Sequence, residues 1–135
     1  MNAVPVNYLA VVVAALANYV IGVIWYALLF RKAWRRLSGA SEMKVSAVSV
    51  IVALVGAFLM SWVLAHAIVF AGSFMKVSGV GAGVEAAVFN WLGFIAPATI
   101  AVVIYEKKPF GFWLLNNAYW LVSLLVMGII LSVWT

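Results

Sequence analysis

Charged residues are so sparse along this chain that they divide it into four uncharged runs, at 2–30, 45–75, 86–105 and 109–135. Crossing the ~30 Å hydrocarbon core of a bilayer takes about 20 residues of α-helix. Each run is about that long or longer. Backbone groups in lipid must be bonded within their own segment, so each run predicts a helix rather than an open strand. A membrane barrel would show alternating segments of about ten residues, and these runs do not alternate. The fold class expected is an all-α membrane protein: a single domain of four transmembrane helices in an antiparallel up-down bundle. The spans predicted are roughly 5–30, 44–71, 83–105 and 109–134.

The residues between the runs give the punctuation. Gly39 follows the first helix and its basic extension, where a left-handed cap is expected. Ser41 and Glu42 suit the N-cap and acidic first turn of the second helix. The stretch 72–83 holds Gly72, Gly79, Gly81 and Gly83, and predicts a loop. Its segment 79–83 resembles half a phosphate loop but lacks the context of one, and reads as a flexible connection. Pro109 suits the first turn of the fourth helix, which makes the third and fourth helices a hairpin. The first run lacks a basic leading region and a small-residue cleavage site before Arg31, so it reads as a retained helix.

Composition agrees with burial in lipid. Hydrophobic residues make up 69% of the 135 and charged residues 8%, with a mean hydropathy of +1.23. Soluble domains carry about 25% charged residues, and this chain cannot build their polar shell. It has no cysteine, which excludes disulfides, thiolate metal ligands and a cysteine nucleophile.

The net charge of +5 sets the orientation. Arg31, Lys32, Arg35, Arg36 and Lys44 flank the first connection, and Lys107 and Lys108 the third, whereas Lys76 alone lies in the second. Basic residues gather on the cytoplasmic side, so both termini are expected on the outer, periplasmic side of a bacterial inner membrane. Arg31, Lys32, Arg35 and Arg36 are expected to meet anionic lipid headgroups, making membrane lipids rather than nucleic acid the partners. Trp34, Trp113 and Trp134 occupy belt positions at the headgroup level.

Small residues recur at fourfold spacing on two helices. The second carries Ser49, Ala53, Ala57, Ser61 and Ala65; the first carries Ala10, Ala14, Asn18 and Gly22. Helices in lipid associate through close packing of such faces, so these two are expected to pack on each other or on a second copy. Gly93 and Pro97 predict a kink in the third helix.

Polar groups inside the spans are the candidate chemistry. His66 and Glu85 fall at similar depth, where a pair would exchange a proton or bind a cation; the alternative is a histidine bonded to backbone and a glutamate at a helix N-terminus. Asn18, near mid-membrane, needs a partner on a neighbouring helix. Asn7, Asn90, Asn116 and Asn117 complete the set, with Tyr119 one turn beyond Asn116. They are either structural bonds between helices or the lining of a solute cavity. One histidine and three carboxylates at scattered positions make no metal set, and no nucleophile or nucleotide motif is present, so no metal, cofactor or enzymatic activity is expected.

The first and third runs share a faint pattern: Asn18-Tyr19 with Gly22, and Asn90-Trp91 with Gly93. It hints at a parallel two-helix repeat. The succession Asn18-Tyr19, Gly22, Trp25-Tyr26, Leu29-Phe30, Trp34, Leu37 and Gly39 resembles the opening of the bacterial membrane family called domain of unknown function 1761. Phe89-Asn90-Trp91-Leu92-Gly93-Phe94, then Tyr105 to Lys108, Asn116-Asn117 and Tyr119 resemble the remainder, so the likeness spans nearly the whole chain. It implies a four-helix inner-membrane protein and no particular activity.

The leading reading is a small-solute or ion transporter or channel-like protein, working as a homo-oligomer, with a dimer favoured. Its solute-binding residues would be Asn18, His66, Glu85, Asn90 and Asn116. The alternative is a structural or accessory subunit of a membrane complex. A membrane enzyme acting on lipid is a third reading, short of catalytic groups. The transporter reading requires His66, Glu85 and Asn90 to converge on one cavity.

Overall fold

The computed structural model describes residues 3–41 and 44–134. Glu42, and with it the acidic first turn expected there, lies outside the described residues. The described chain is helical: α1 is Tyr8–Leu29, α2 Arg31–Ser38, α3 Ala47–Met75, α4 Val80–Ile104 and α5 Phe110–Val133. All but α2 are long and apolar enough to cross a membrane. This is a multi-pass membrane protein.

Local chemistry explains the ends. Asn7 caps α1, its Oδ1 accepting from the amides of Leu9 and Ala10 at 3.0 and 3.2 Å. Gly39 closes α2 in the left-handed conformation at φ 79°. The cap of α3 is Ser46 rather than Ser41: it forms a reciprocal box with Ser49, whose amide and hydroxyl bond back to Ser46. Pro109, with φ −60°, stands immediately before α5.

The second connection departs from expectation. α3 runs to Met75 and α4 begins at Val80, so Gly72, Gly81 and Gly83 are helical. Lys76 and Gly79 take positive φ and turn the chain. Gly83 is there for proximity: a Cβ on it or on Gly128 would fall under 3.0 Å from the other's carbonyl oxygen, so α4 and α5 cross backbone against backbone.

Helix α5 is the centre of the bundle. Of its most apolar window 39% is buried, against 28% in α1, 17% in α3 and 11% in α4. The core gathers Ala10, Val11, Ala14, Leu64, Ala65, Ala86, Ala87, Leu124, Met127 and Leu131. Outward, Leu28, Val48, Phe74 and Phe94 are exposed, as a lipid-facing belt requires. Asn7 Nδ2 reaches the carbonyl of Trp134, and Lys108 Nζ donates to the carbonyl of Ser38 at 2.8 Å. The first and third connections therefore share one end, here the basic end, and the start of α1 meets the end of α5 at the other, the far end.

The small-residue faces meet over half their length. Ala57, Ser61 and Ala65 are buried, and Ser61 donates to the carbonyl of Val11 at 2.8 Å. Ser49 and Ala53 are exposed, so the packing expected of the two faces on each other holds for the other half of the stripe. α1 and α3 thus touch toward the far end and part toward the basic end.

Both α1 and α4 carry a wider π-helical stretch, at Ile24–Leu29 and Trp91–Ile95, the first beginning six residues after Asn18 and the second directly after Asn90. Such stretches shift side-chain direction within a helix. Each holds a tryptophan whose indole donates to α5: Trp25 to the carbonyl of Leu115 at 3.2 Å, Trp91 to that of Asn117 at 3.1 Å. Pro97 lies two residues past the α4 stretch, where it removes an amide from the helix ladder. The hydroxyl of Thr99 donates to the nearby carbonyl of Ile95 at 2.7 Å.

Candidate functional site

The parting of α1 and α3 opens a slot of about 620 Å³. Asn18, Tyr19, Gly22 and Tyr26 of α1 line one side; Ser49, Ala53, Gly56 and Ala57 of α3 line the other. Tyr119 and Trp120 of α5 also border it, and Lys44 stands in its lining with Val45. One wall is aromatic and polar, the other small and flat. The spacing of small residues that sequence assigns to packing becomes, in its basic-end half, the wall of this slot.

A ladder of hydrogen bonds orders the aromatic wall. The Tyr119 hydroxyl lies 3.0 Å from Asn18 Oδ1, and Asn18 Nδ2 lies 3.7 Å from the sulfur of Met127. Asn18 thus finds its partners on α5, as a buried amide must. Gly22 permits this: a Cβ there would meet the Tyr119 hydroxyl at 3.0 Å. The Tyr26 ring packs edge-on against Tyr119 at 5.2 Å and donates its hydroxyl to Asn116 Oδ1 at 2.7 Å. Asn18 and Asn116 are therefore joined through two tyrosines.

A second cluster ties α4 to α5. Thr99 Oγ1 accepts from Trp113 Nε1 at 3.1 Å and Asn117 Nδ2 at 3.0 Å. The indole of Trp113 is thus a donor from α5 to α4. Asn117 Oδ1 and Ser123 Oγ are buried without a protein partner.

Four predicted solute residues stay outside the slot: His66, Glu85, Asn90 and Asn116, the last touching its wall through the bond to Tyr26. His66 Nδ1 bonds the carbonyl of Trp62 one turn back at 2.8 Å, its ring between Trp62 and Phe70. Asn90 donates to the carbonyl of Ala86 in its own helix at 2.7 Å. It borders a separate, largely apolar cleft of about 450 Å³ between α3 and α4. Glu85 is half-buried in α4 and lines none of these cavities. The convergence required for a His66–Glu85–Asn90 site is not met. Tyr26 is a wall residue that the sequence did not single out as a site; its hydroxyl stands about two turns beyond Asn18 on α1.

No curated protein matches the chain, and no solved structure does. A family model described as a protein of unknown function (DUF1761) matches residues 9–132, nearly the whole length. The chain belongs to that family.

Proposed function

We propose that this protein is a small membrane carrier that takes a solute into the slot between α1 and α3 and works as a homodimer. The observation that carries this reading is that Asn18, Tyr26 and Tyr119 border the same slot, with Asn116 bonded to Tyr26. Its volume of about 620 Å³ falls within the ~300–1,000 Å³ usual for small-molecule sites. Solute-binding residues are then Asn18, Tyr26 and Tyr119, without His66, Glu85 or Asn90. Membrane lipids surround the bundle.

The membrane is the bacterial inner membrane, and the helices run antiparallel, up and down. The gathering of basic residues at the first and third connections supports a cytoplasmic basic end and periplasmic termini. Dimerisation is supported by the thin burial of α4, only 11% over its most apolar window, which leaves a broad apolar surface for a second copy. The same surface also suits a larger partner, which is what favours the accessory-subunit reading.

The test is flux of a panel of small solutes into proteoliposomes, with oligomeric state counted by single-molecule photobleaching. Gly56 borders the slot, and nothing lies within 4 Å of where its Cβ would stand, so Gly56→Phe fills the space without a clash at the backbone. A flux lost in Gly56→Phe and kept in His66→Ala supports the carrier. No flux for any solute, with the protein monomeric, refutes it.

A further inference from the structure

We infer that the occupant of the slot is a single-chain anionic amphiphile, drawn sideways from the leaflet at the basic end. This rests on the slot being the binding site.

Depth is the first argument. The α1 wall extends from Asn18 to Ala27, which at ~1.5 Å per residue is about 14 Å. That is half of the ~30 Å hydrocarbon core, the depth of one leaflet. A solute bound along it lies beside the lipid tails of one leaflet only, with its head at that leaflet's surface.

Charge is the second. Among the described residues that line the slot, Lys44 is the charged one, and it stands in the connection preceding α3, at the basic end. Of the uncharged polar groups of the lining, Asn18 and Tyr119 are bonded to each other, Tyr26 to Asn116 and Ser49 to Ser46, and Tyr19 and Trp120 add a hydroxyl and an indole N–H. The surface end of the slot therefore presents a cation, and its deeper part presents uncharged, mostly bonded polar groups among apolar carbon. An ammonium at the membrane surface attracts anionic headgroups. An anionic head on a single apolar tail matches this order from surface to depth.

Shape is the third. Between Val50 and Met60 the α3 wall is Ala53, Gly56 and Ala57, which offer no long side chain, and the facing wall carries the rings of Tyr19, Tyr26, Tyr119 and Trp120. A narrow channel between this small-residue stretch and aromatic faces accepts one extended chain. A volume of about 620 Å³ is that of a site for one small ligand rather than for a two-chain lipid.

The experiment is photolabelling of the full chain in zwitterionic nanodiscs, with labelled peptides mapped by mass spectrometry. Three probes carry a diazirine in the chain: a long-chain alkyl phosphate, the uncharged alcohol of the same chain, and a two-chain anionic phospholipid. The alkyl phosphate should label the slot-facing peptides of α1 and α3 about five-fold more than the alcohol, the discrimination one lysine near a membrane surface provides. Lys44→Gln should abolish that preference, and Lys44→Arg should keep it. Gly56→Phe should remove slot labelling by either single-chain probe. Equal slot labelling by phosphate and alcohol in the unaltered protein would overturn the anionic assignment while leaving the slot as a binding site. Stronger labelling by the two-chain lipid would overturn the single-chain assignment. Labelling that avoids the slot peptides, or persists in Gly56→Phe, would overturn the site itself.

Discussion

Tyr26 donates its hydroxyl to Asn116 across 2.7 Å, a side-chain bond between α1 and α5 inside the membrane span. Bonds of this kind contribute about 0.6 kcal/mol on average and up to about 1.7. Tyr26→Phe should destabilise the folded protein within that range. A double-mutant cycle with Asn116→Ala, read by reversible unfolding in bicelles, should return a coupling of the same size. Additive effects would mean the bond carries no stability.

The approach of Tyr119 to Gly22 predicts a rescue. Gly22→Ala puts a methyl 3.0 Å from the Tyr119 hydroxyl and should displace it from Asn18. The next ring atom is 3.5 Å away, an ordinary contact. Gly22→Ala should therefore lower the melting temperature in the parent protein and cost much less in a Tyr119→Phe background. Equal costs in both backgrounds would place the strain elsewhere.

The glycines should separate into two classes. At Gly83 and Gly128 an added methyl meets backbone, which cannot rotate away, so alanine should destabilise by about 1–3 kcal/mol or more. At Gly56 and Gly93 nothing lies within 4 Å, and alanine should be neutral or stabilising by up to about 1 kcal/mol through helix propensity. Thermal unfolding of the four variants in one detergent checks both.

Orientation is open to a direct measurement, because the chain has no cysteine to remove. Ser78→Cys in the second connection should react with a membrane-impermeant maleimide added to intact cells. Ser41→Cys and Lys107→Cys, in the first and third, should react only after permeabilisation. The reverse pattern would invert the topology.

Much of the fold is legible in the sequence because the bilayer imposes one-dimensional rules. Uncharged length gives the four spans, and Gly39 marks the end of the basic helix by its left-handed geometry. Asn18 advertises its need for a partner, although not that the partner is Tyr119. The site is less legible, because it depends on distances between helices. Gly81 and Gly83 read as loop residues by composition; the reason for Gly83 is Gly128, far along the chain. Ser49 and Ala53 share the spacing of Ser61 and Ala65, yet they fall where α1 and α3 have parted. His66 looks like a functional ionisable group, but a helix always offers a carbonyl one turn back to occupy it. The weak Asn-aromatic-Gly echo between the first and third spans precedes a π-helical stretch in α1 and runs into one in α4, and each stretch docks a tryptophan on α5.

Backbone against backbone at Gly83 and Gly128 leaves no layer of side chains to slide or repack at that crossing. Toward Tyr105 and Phe110 the short connection and the bonds of Thr99 to Trp113 and Asn117 hold the same pair, so α4 and α5 move as one unit. The Ser61–Val11 bond holds α3 to α1 in the corresponding half of the bundle. The basic-end halves of α1 and α3 stand apart like the tips of tweezers whose arms are joined at the far end, so opening and closing of the slot belongs to that pair.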